Sequence, residues 1–346
     1  MRSRAATWIA LALVLAGARP GASTQARPQF GSIQSSDPAF ADLVPPTASI
    51  EVLATGFLWS EGPVWIKEGG FLLFSDVPAN RMHRWTREAG ATLFLHPSGG
   101  TIKAGFREPG SNGLKVDGPG FILLADQGNR AIARLDLKTK TKQFLARHFG
   151  GRRLNSPNDL AVGPDGSIWF TDPPYGLDGI NSSPLKEQPA NGVYRMKPDG
   201  QIVLVESELS FPNGIAFSPD GRTLYVSNSD AARAVVLAYD VAADGALSRR
   251  RIFSDMTSLA ASGLPGLPDG MTVDEHGNLW ATGPGGVHVF RPDGRRLGRI
   301  STGAAISNCS FGGPNGRTLF LTSGSTLAAV RTSVHAAPVL LRRHTH

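Results

Sequence analysis

Six positions in this 346-residue chain share one chemical character: Glu61, Asn112, Asn158, Asn213, Asp269 and Asn308. Each carries a carboxylate or carboxamide oxygen and stands just upstream of a short apolar run. Two carboxylates, Glu61 and Asp269, among neutral amides suit a hard divalent cation, and no Cys or His in the set competes as a soft ligand. Without a cation, two carboxylates brought close together would repel, and one would hold its proton. Turns offer a plainer explanation, because Asn and Asp favour them. Against that reading, Pro157, Pro212 and Pro268 precede three of the six, and Leu160, Ile215 and Met271 follow close behind.

The elements that must position these residues form a repeat. The unit is clearest from Ser156 to Gly176, SPNDLAVGPDGSIWFTDPPYG, where an apolar strand, a Pro-Asp-Gly turn and a second strand make a β-hairpin. The same hairpin recurs as WIKEGGFLLFSD, KVDGPGFILLAD, VGPDGSIWFTD, FSPDGRTLYVSN, VDEHGNLWATG and FGGPNGRTLFLTS. The copies are spaced about 40 to 56 residues apart, the period of propeller blades. A further pair of strand-like runs follows each of the first five, giving the four strands that a blade requires. The sixth copy ends early, at LAAVRT, while SIEVLA (Ser49 to Ala54) precedes the first hairpin without a partner. Pairing these two closes the ring and removes two exposed edges. The expected fold is therefore all-β: a six-bladed propeller of four antiparallel strands per blade, its last blade closed by an N-terminal strand. A β-sandwich followed by a second domain would leave six evenly spaced copies unexplained. In a propeller the inner strands line a central channel, so the six polar positions are expected to converge at one of its ends.

The ends of the chain carry different signals. Arg2 and Arg4 precede an apolar run from Ala5 to Ala16, followed by small residues, which reads as a signal peptide cut between Ala16 and Ala26. The run is short for a membrane span. The expected organisation is a signal peptide at 1–26, an N-terminal extension at 27–48, the propeller at 49–334 and a tail at 335–346. The protein is then exported, to the periplasm or beyond. The formal charge is +7; losing Arg2, Arg4 and Arg19 with no acidic residue leaves about +4, and a cut directly after Ala18, which keeps Arg19, leaves about +5. The remaining basic residues are scattered, unlike the concentrated face of a nucleic-acid binder. Cys309 is the single cysteine, so no intrachain disulfide exists.

The motifs EGPVW (from Glu61), SPNDLAV with TDPPYG, FPNGIAFSPDG and LPDGMTVDEHGNLW resemble the gluconolactonase and regucalcin (senescence marker protein) family. The resemblance runs from Ile50 to Ser323, with the four motifs in the family's order. It implies a six-bladed propeller with one catalytic divalent metal near the channel entrance, held by Glu61, Asn158, Asn213 and Asp269. Calcium leads the candidate ions, with zinc, magnesium and manganese as alternatives. It also implies hydrolysis of a sugar lactone such as glucono-1,5-lactone. Where regucalcin has a substrate-holding Arg, two residues before the second ligand, this chain has Ser156, so metal chemistry carries over more directly than sugar specificity.

A Lewis-acidic ion there polarises a lactone carbonyl and lowers the pKa of a bound water. Asp269 is the candidate catalytic residue, a ligand that also takes the proton from the attacking water. Asn112 is the candidate for orienting substrate. Tyr175 and Asp172, on the turn leaving the central hairpin, are candidates for the substrate-binding rim. Outer packing is the competing role for Tyr175, and turn formation for Asp172. No Gly-x-Ser-x-Gly elbow occurs, Cys309 has no assignable His partner, and the histidines lack metal-type spacing. The expected partner is a small-molecule lactone, with no nucleic acid, no membrane after signal cleavage and no obligate protein. The alternatives are a promiscuous, paraoxonase-like esterase using the same ion, or a calcium-binding propeller scaffold without turnover.

Overall fold

The structure, a computed structural model, describes residues 30–101 and 104–338. The expected signal peptide and the last part of the expected tail lie outside these residues.

Each hairpin turn is set locally. Gly166 (φ 79°) and Gly221 (φ 68°) take the left-handed conformation that the Asp-Gly turns need. The Asp before each glycine accepts a backbone N–H across the turn: Ser167 N–H to Asp165 Oδ1 at 3.0 Å, and Arg222 N–H to Asp220 Oδ1 at 3.0 Å. The resulting hairpins extend into four-stranded antiparallel sheets. Their inner strands, in chain order, are Ser60–Ile66, Ser111–Val116, Leu160–Val162, Pro212–Phe217, Met271–Val273 and Asn308–Gly312. These six sheets are the blades of a propeller, numbered here 1 to 6.

The ring closes as expected. Ile50–Thr55 pairs antiparallel with Thr326–Arg331, Ile50 opposite Val330 and Glu51 opposite Ala329, as the outer strand of blade 6. Packing between blades follows from strand alternation, which sends successive side chains to opposite faces. In blade 3, Leu160, Val162, Ile168 and Phe170 face blade 2, while Ala161 and Trp169 face blade 4. An apolar cluster fills each of the six blade interfaces in this way.

The segment expected as an N-terminal extension is partly built into the propeller. Ser32–Ser35 adds a fifth strand to blade 5, Ser32 opposite Ser301 and Ser35 opposite Gly298. The short helix Phe40–Leu43 then buries Phe40, Leu43 and Val44 between blades 5 and 6. Gly298 is required here, since a Cβ would stand 2.7 Å from both Gln34 O and the Phe40 ring. At the other terminus, His335 Nε2 lies 2.8 Å from Glu275, and Ala337 N–H donates to Val273 O.

Candidate active site

The six polar positions come together where the inner strands begin. Glu61, Asn112, Asn158, Asn213 and Asn308 are at most 6% exposed. Asn112 Nδ2 donates to Asn158 Oδ1 at 2.8 Å, Asn158 Nδ2 donates to Asn213 Oδ1, and Asn213 Nδ2 donates to Ser229 Oγ at 3.0 Å. On the other side of the ring Asn308 Nδ2 donates to Glu61 Oε2 at 3.2 Å, and Gly62 N–H donates to the same oxygen at 2.9 Å. The next residue in each blade explains how the strands approach so closely. Those residues are Gly62, Gly113, Asp159, Gly214, Gly270 and Cys309. A Cβ on Gly62 would meet Asn112 O at 2.2 Å, and one on Gly214 would meet Asp269 O at 2.2 Å. Four glycines thus let the inner strands converge.

Above the ring lies a cavity of about 440 Å³, with Glu61, Asn112, Asn158, Tyr175, Asn213 and Asp269 in its wall. Burial pushes the Glu61 carboxyl up to about 8, and the charges of Asp159 and Glu108 add to it, while the Gly62 N–H and the Asn308 amide oppose. Asp269 is raised well above the usual carboxylate range, first by burial and then by Glu61, Asp159 and Glu108. Its Oδ1 is enclosed and has no hydrogen-bond partner among the described residues. Asp159, one layer below, is 2% exposed and accepts the Leu160 N–H at 2.8 Å. Burial raises it too, against the pull of Lys115. Burial therefore favours the protonated form of all three acids, and the charge of Asp159 adds to the effect on Glu61 and Asp269.

Tyr175 is at the cavity, its ring stacked on Phe211 at 5.6 Å and 14°. Its hydroxyl is enclosed beside Ser229 and Asn213 without a hydrogen bond of good geometry to either, and burial raises its pKa. Asp172, expected at the rim, does not line the cavity. It is fully buried, accepting Asn155 N–H at Oδ2 at 2.7 Å. Asp76 holds Trp59 N–H and Asn228 holds Phe211 N–H in the same way, each across 17 residues. A residue at or near the end of the second strand of these blades thus clamps the loop entering the inner strand. Asp172 serves the fold as this clamp, as its turn-like sequence context allowed. Asn308 is also outside the cavity wall, with its amide engaged by Glu61 and the Cys309 N–H.

Several site residues were not singled out by the repeat. Gln127 donates from Nε2 to Asn158 Oδ1 at 3.2 Å. Trp59, Leu267 and Ile306 make an apolar wall, and Arg107 and Glu108 form an ion pair at 2.9 Å in the mouth. Trp59 stands two residues before Glu61 and could have been found by proximity. Arg107 and Glu108 sit on an irregular loop between blades and left no periodic signal.

A hard cation fits this donor set. Among the described residues no group of three His, Cys, Asp or Glu side chains forms a metal cluster, so the acids at the ring must be supplemented by amide oxygens. Asp269 Oδ1 is an unpartnered buried acceptor, the kind of atom a cation satisfies. Asn158 Oδ1 already accepts two bonds, from Asn112 and Gln127, and would release one on ligating.

Comparison with known proteins gives one consistent family. Residues 59–325 match the SMP-30/gluconolactonase/LRE-like region. The chain is 47% identical over 309 residues to a gluconolactonase from Zymomonas mobilis, covering 88% of this chain and 86% of the relative. It is 29% identical to the pentonolactonase XacC of Haloferax volcanii, covering 79% of this chain and 84% of that one. Among solved structures, a gluconolactonase from Xanthomonas campestris superposes with a TM-score of 0.74 at 34% identity, covering 91% of this chain and 98% of that one.

Proposed function

The chain belongs to the SMP-30/gluconolactonase/LRE-like family and is a lactone hydrolase; from that premise we propose that it opens a sugar lactone, of the glucono-1,5-lactone type, in the Glu61–Asp269 cavity with the help of one divalent cation. The observation that carries this reading is the pair of buried acids at the ring, Glu61 and Asp269. Burial raises the proton affinity of both, Glu61 raises that of Asp269 further, and Asp269 Oδ1 has no partner among the described residues. Structure alone offers no reason to enclose two mutually repelling carboxylates. Catalysis does.

Glu61, Asn158, Asn213 and Asp269 would hold the cation, and their all-oxygen chemistry favours calcium, with magnesium, manganese or zinc also accommodated. Such an ion, when bound, supplies Lewis-acid polarisation of the lactone carbonyl and a lowered pKa for water. The residues of the chain do the rest. The Asp269 carboxylate takes a proton from the water, through the oxygen not engaged by the cation, as the water oxygen attacks the acyl carbon. The ring C–O bond then breaks and the departing oxygen accepts that proton, giving the open hydroxy acid. Asn112, hydrogen-bonded to Asn158, holds substrate in register with that oxygen, and Tyr175 closes one side of the cavity.

The test is turnover of glucono-1,5-lactone, followed as acid release against the spontaneous rate. Asp269→Asn is expected to lower kcat by about 10²–10⁴-fold, the span of a lost general base. Chelation is expected to abolish turnover and added calcium to restore it. Activity that survives exhaustive chelation would remove the cation from the reading, and an active Asp269→Asn variant would remove the site.

A further inference from the structure

The cavity has a third carboxylate that the chemistry above does not use. Glu108 lies at its mouth with a side chain 13% exposed, paired through Oε1 with the half-exposed Arg107. Oε2 accepts no hydrogen bond among the described residues. The fold does not explain this acid, because backbone bonds hold its loop. Arg107 and Glu108 donate their N–H groups to Gly176 O at 3.0 and 3.3 Å, Asp178 N–H donates to Gly105 O at 3.0 Å, and Phe106 bridges Leu177. Those bonds pin the loop beside Tyr175, so that Glu108 faces the cavity from a fixed place. The apolar residues Trp59, Leu267 and Ile306 supply the rest of the mouth.

The geometry points to Glu108, steadied by Arg107, as the residue that selects polyhydroxylated lactones. A sugar lactone has C–H faces that suit an apolar wall and an edge of hydroxyl donors. A carboxylate held in place is an acceptor for those hydroxyls, and charge-assisted bonds of this kind are the strong ones. A small number of placed polar groups in an otherwise apolar mouth is also how such sites acquire specificity. Glu108 touches the hydroxyls and not the scissile ester. This inference rests on the lactonase reading for its substrate and on the loop geometry for its residue.

The experiment compares glucono-1,5-lactone with dihydrocoumarin, a lactone without hydroxyls, in wild type and Glu108→Gln. The KM for the sugar lactone is expected to rise about tenfold with kcat little changed, the signature of lost binding to a charged acceptor. The KM for dihydrocoumarin should move far less, since it offers no hydroxyls, and any change that the lost Glu108 charge makes at Asp269 falls on both lactones alike. Equal losses on both lactones, or no loss on the sugar lactone, would overturn the assignment. If Glu108→Gln fails to fold, Glu108→Asp, which keeps the charge and shortens its reach, should show the same substrate-selective rise in KM. Calorimetric binding of glucono-1,5-lactam, which keeps the hydroxyls and lacks the ester, reads the same contact without turnover. Weaker binding of the lactam by about tenfold in the variant is expected, and equal affinity refutes it. Should wild type open neither lactone, the lactonase reading fails, while the lactam still decides whether Glu108 grips hydroxyls.

Discussion

Glu61→Gln tests the physical core of the site, because in the metal-free protein it should stabilise the fold while abolishing function. In the folded chain burial and neighbouring acids move the Glu61 carboxyl from 4.5 to about 8. The unfolded chain then releases its proton at lower pH than the folded one, so stability falls as pH rises from about 4.5 to about 8. At pH 7 the displacement costs about 3 kcal/mol, at about 1.4 kcal/mol per pH unit. Gln keeps an acceptor for the Gly62 N–H and the Asn308 amide, so those bonds at 2.9 and 3.2 Å survive. The metal-free variant should therefore exceed metal-free wild type by about 3 kcal/mol at pH 7, a rise in melting midpoint of about 5 °C for a chain of this size. The two should converge toward pH 4. Circular dichroism melts across pH, with chelator and then with calcium, provide the measurement. Calcium should raise the midpoint of wild type and leave that of Glu61→Gln nearly unmoved. A variant less stable than wild type at every pH would show that Glu61 is held by favourable contacts, and that the site is not strained by its acids.

Two further outcomes separate fold from chemistry. Asp172→Ala leaves the buried Asn155 N–H unpaired and should cost about 1–3 kcal/mol in urea unfolding, while turnover by the folded fraction changes little. A selective loss of kcat without loss of stability would return Asp172 to the active site. His288 is fully buried, contacts Pro284 O through Nε2 at 2.9 Å, and is pushed down to about 4 by burial. The unfolded chain thus binds a proton first as pH falls below about 6.5, and stability drops by about 2 kcal/mol between pH 7 and pH 5. His288→Gln should flatten that acid limb, and an unchanged slope would refute the assignment.

Much of the fold and part of the site were legible because a propeller turns sequence period into spatial convergence. Glu61, Asn112, Asn158, Asn213, Asp269 and Asn308 could be picked out from equivalent places in the six repeats, and the unpaired strands near Ser49 and Leu327 announced their own pairing. The glycine one residue beyond Glu61, Asn112, Asn213 and Asp269 was legible too, although its reason, atoms of the next blade within 3 Å of any Cβ, was not. Ser32–Ser35 gave no signal because a lone four-residue strand has no hairpin partner in the sequence. Asp172 misled because the same acid that suits a rim also suits a loop clamp, and its role shows only beside Asp76 and Asn228.

What the residues determined alone was the period, the hairpins and the polar position that opens each blade, because these depend on local turn geometry and strand alternation. Tertiary structure decided the rest. It turned Asn308 toward Glu61 and out of the cavity wall, enclosed Asp269 Oδ1 without a partner, and carried Glu108 to the mouth on a loop pinned to Gly176. Burial and proximity across blades set those outcomes, and neither is a property of residues adjacent in the chain.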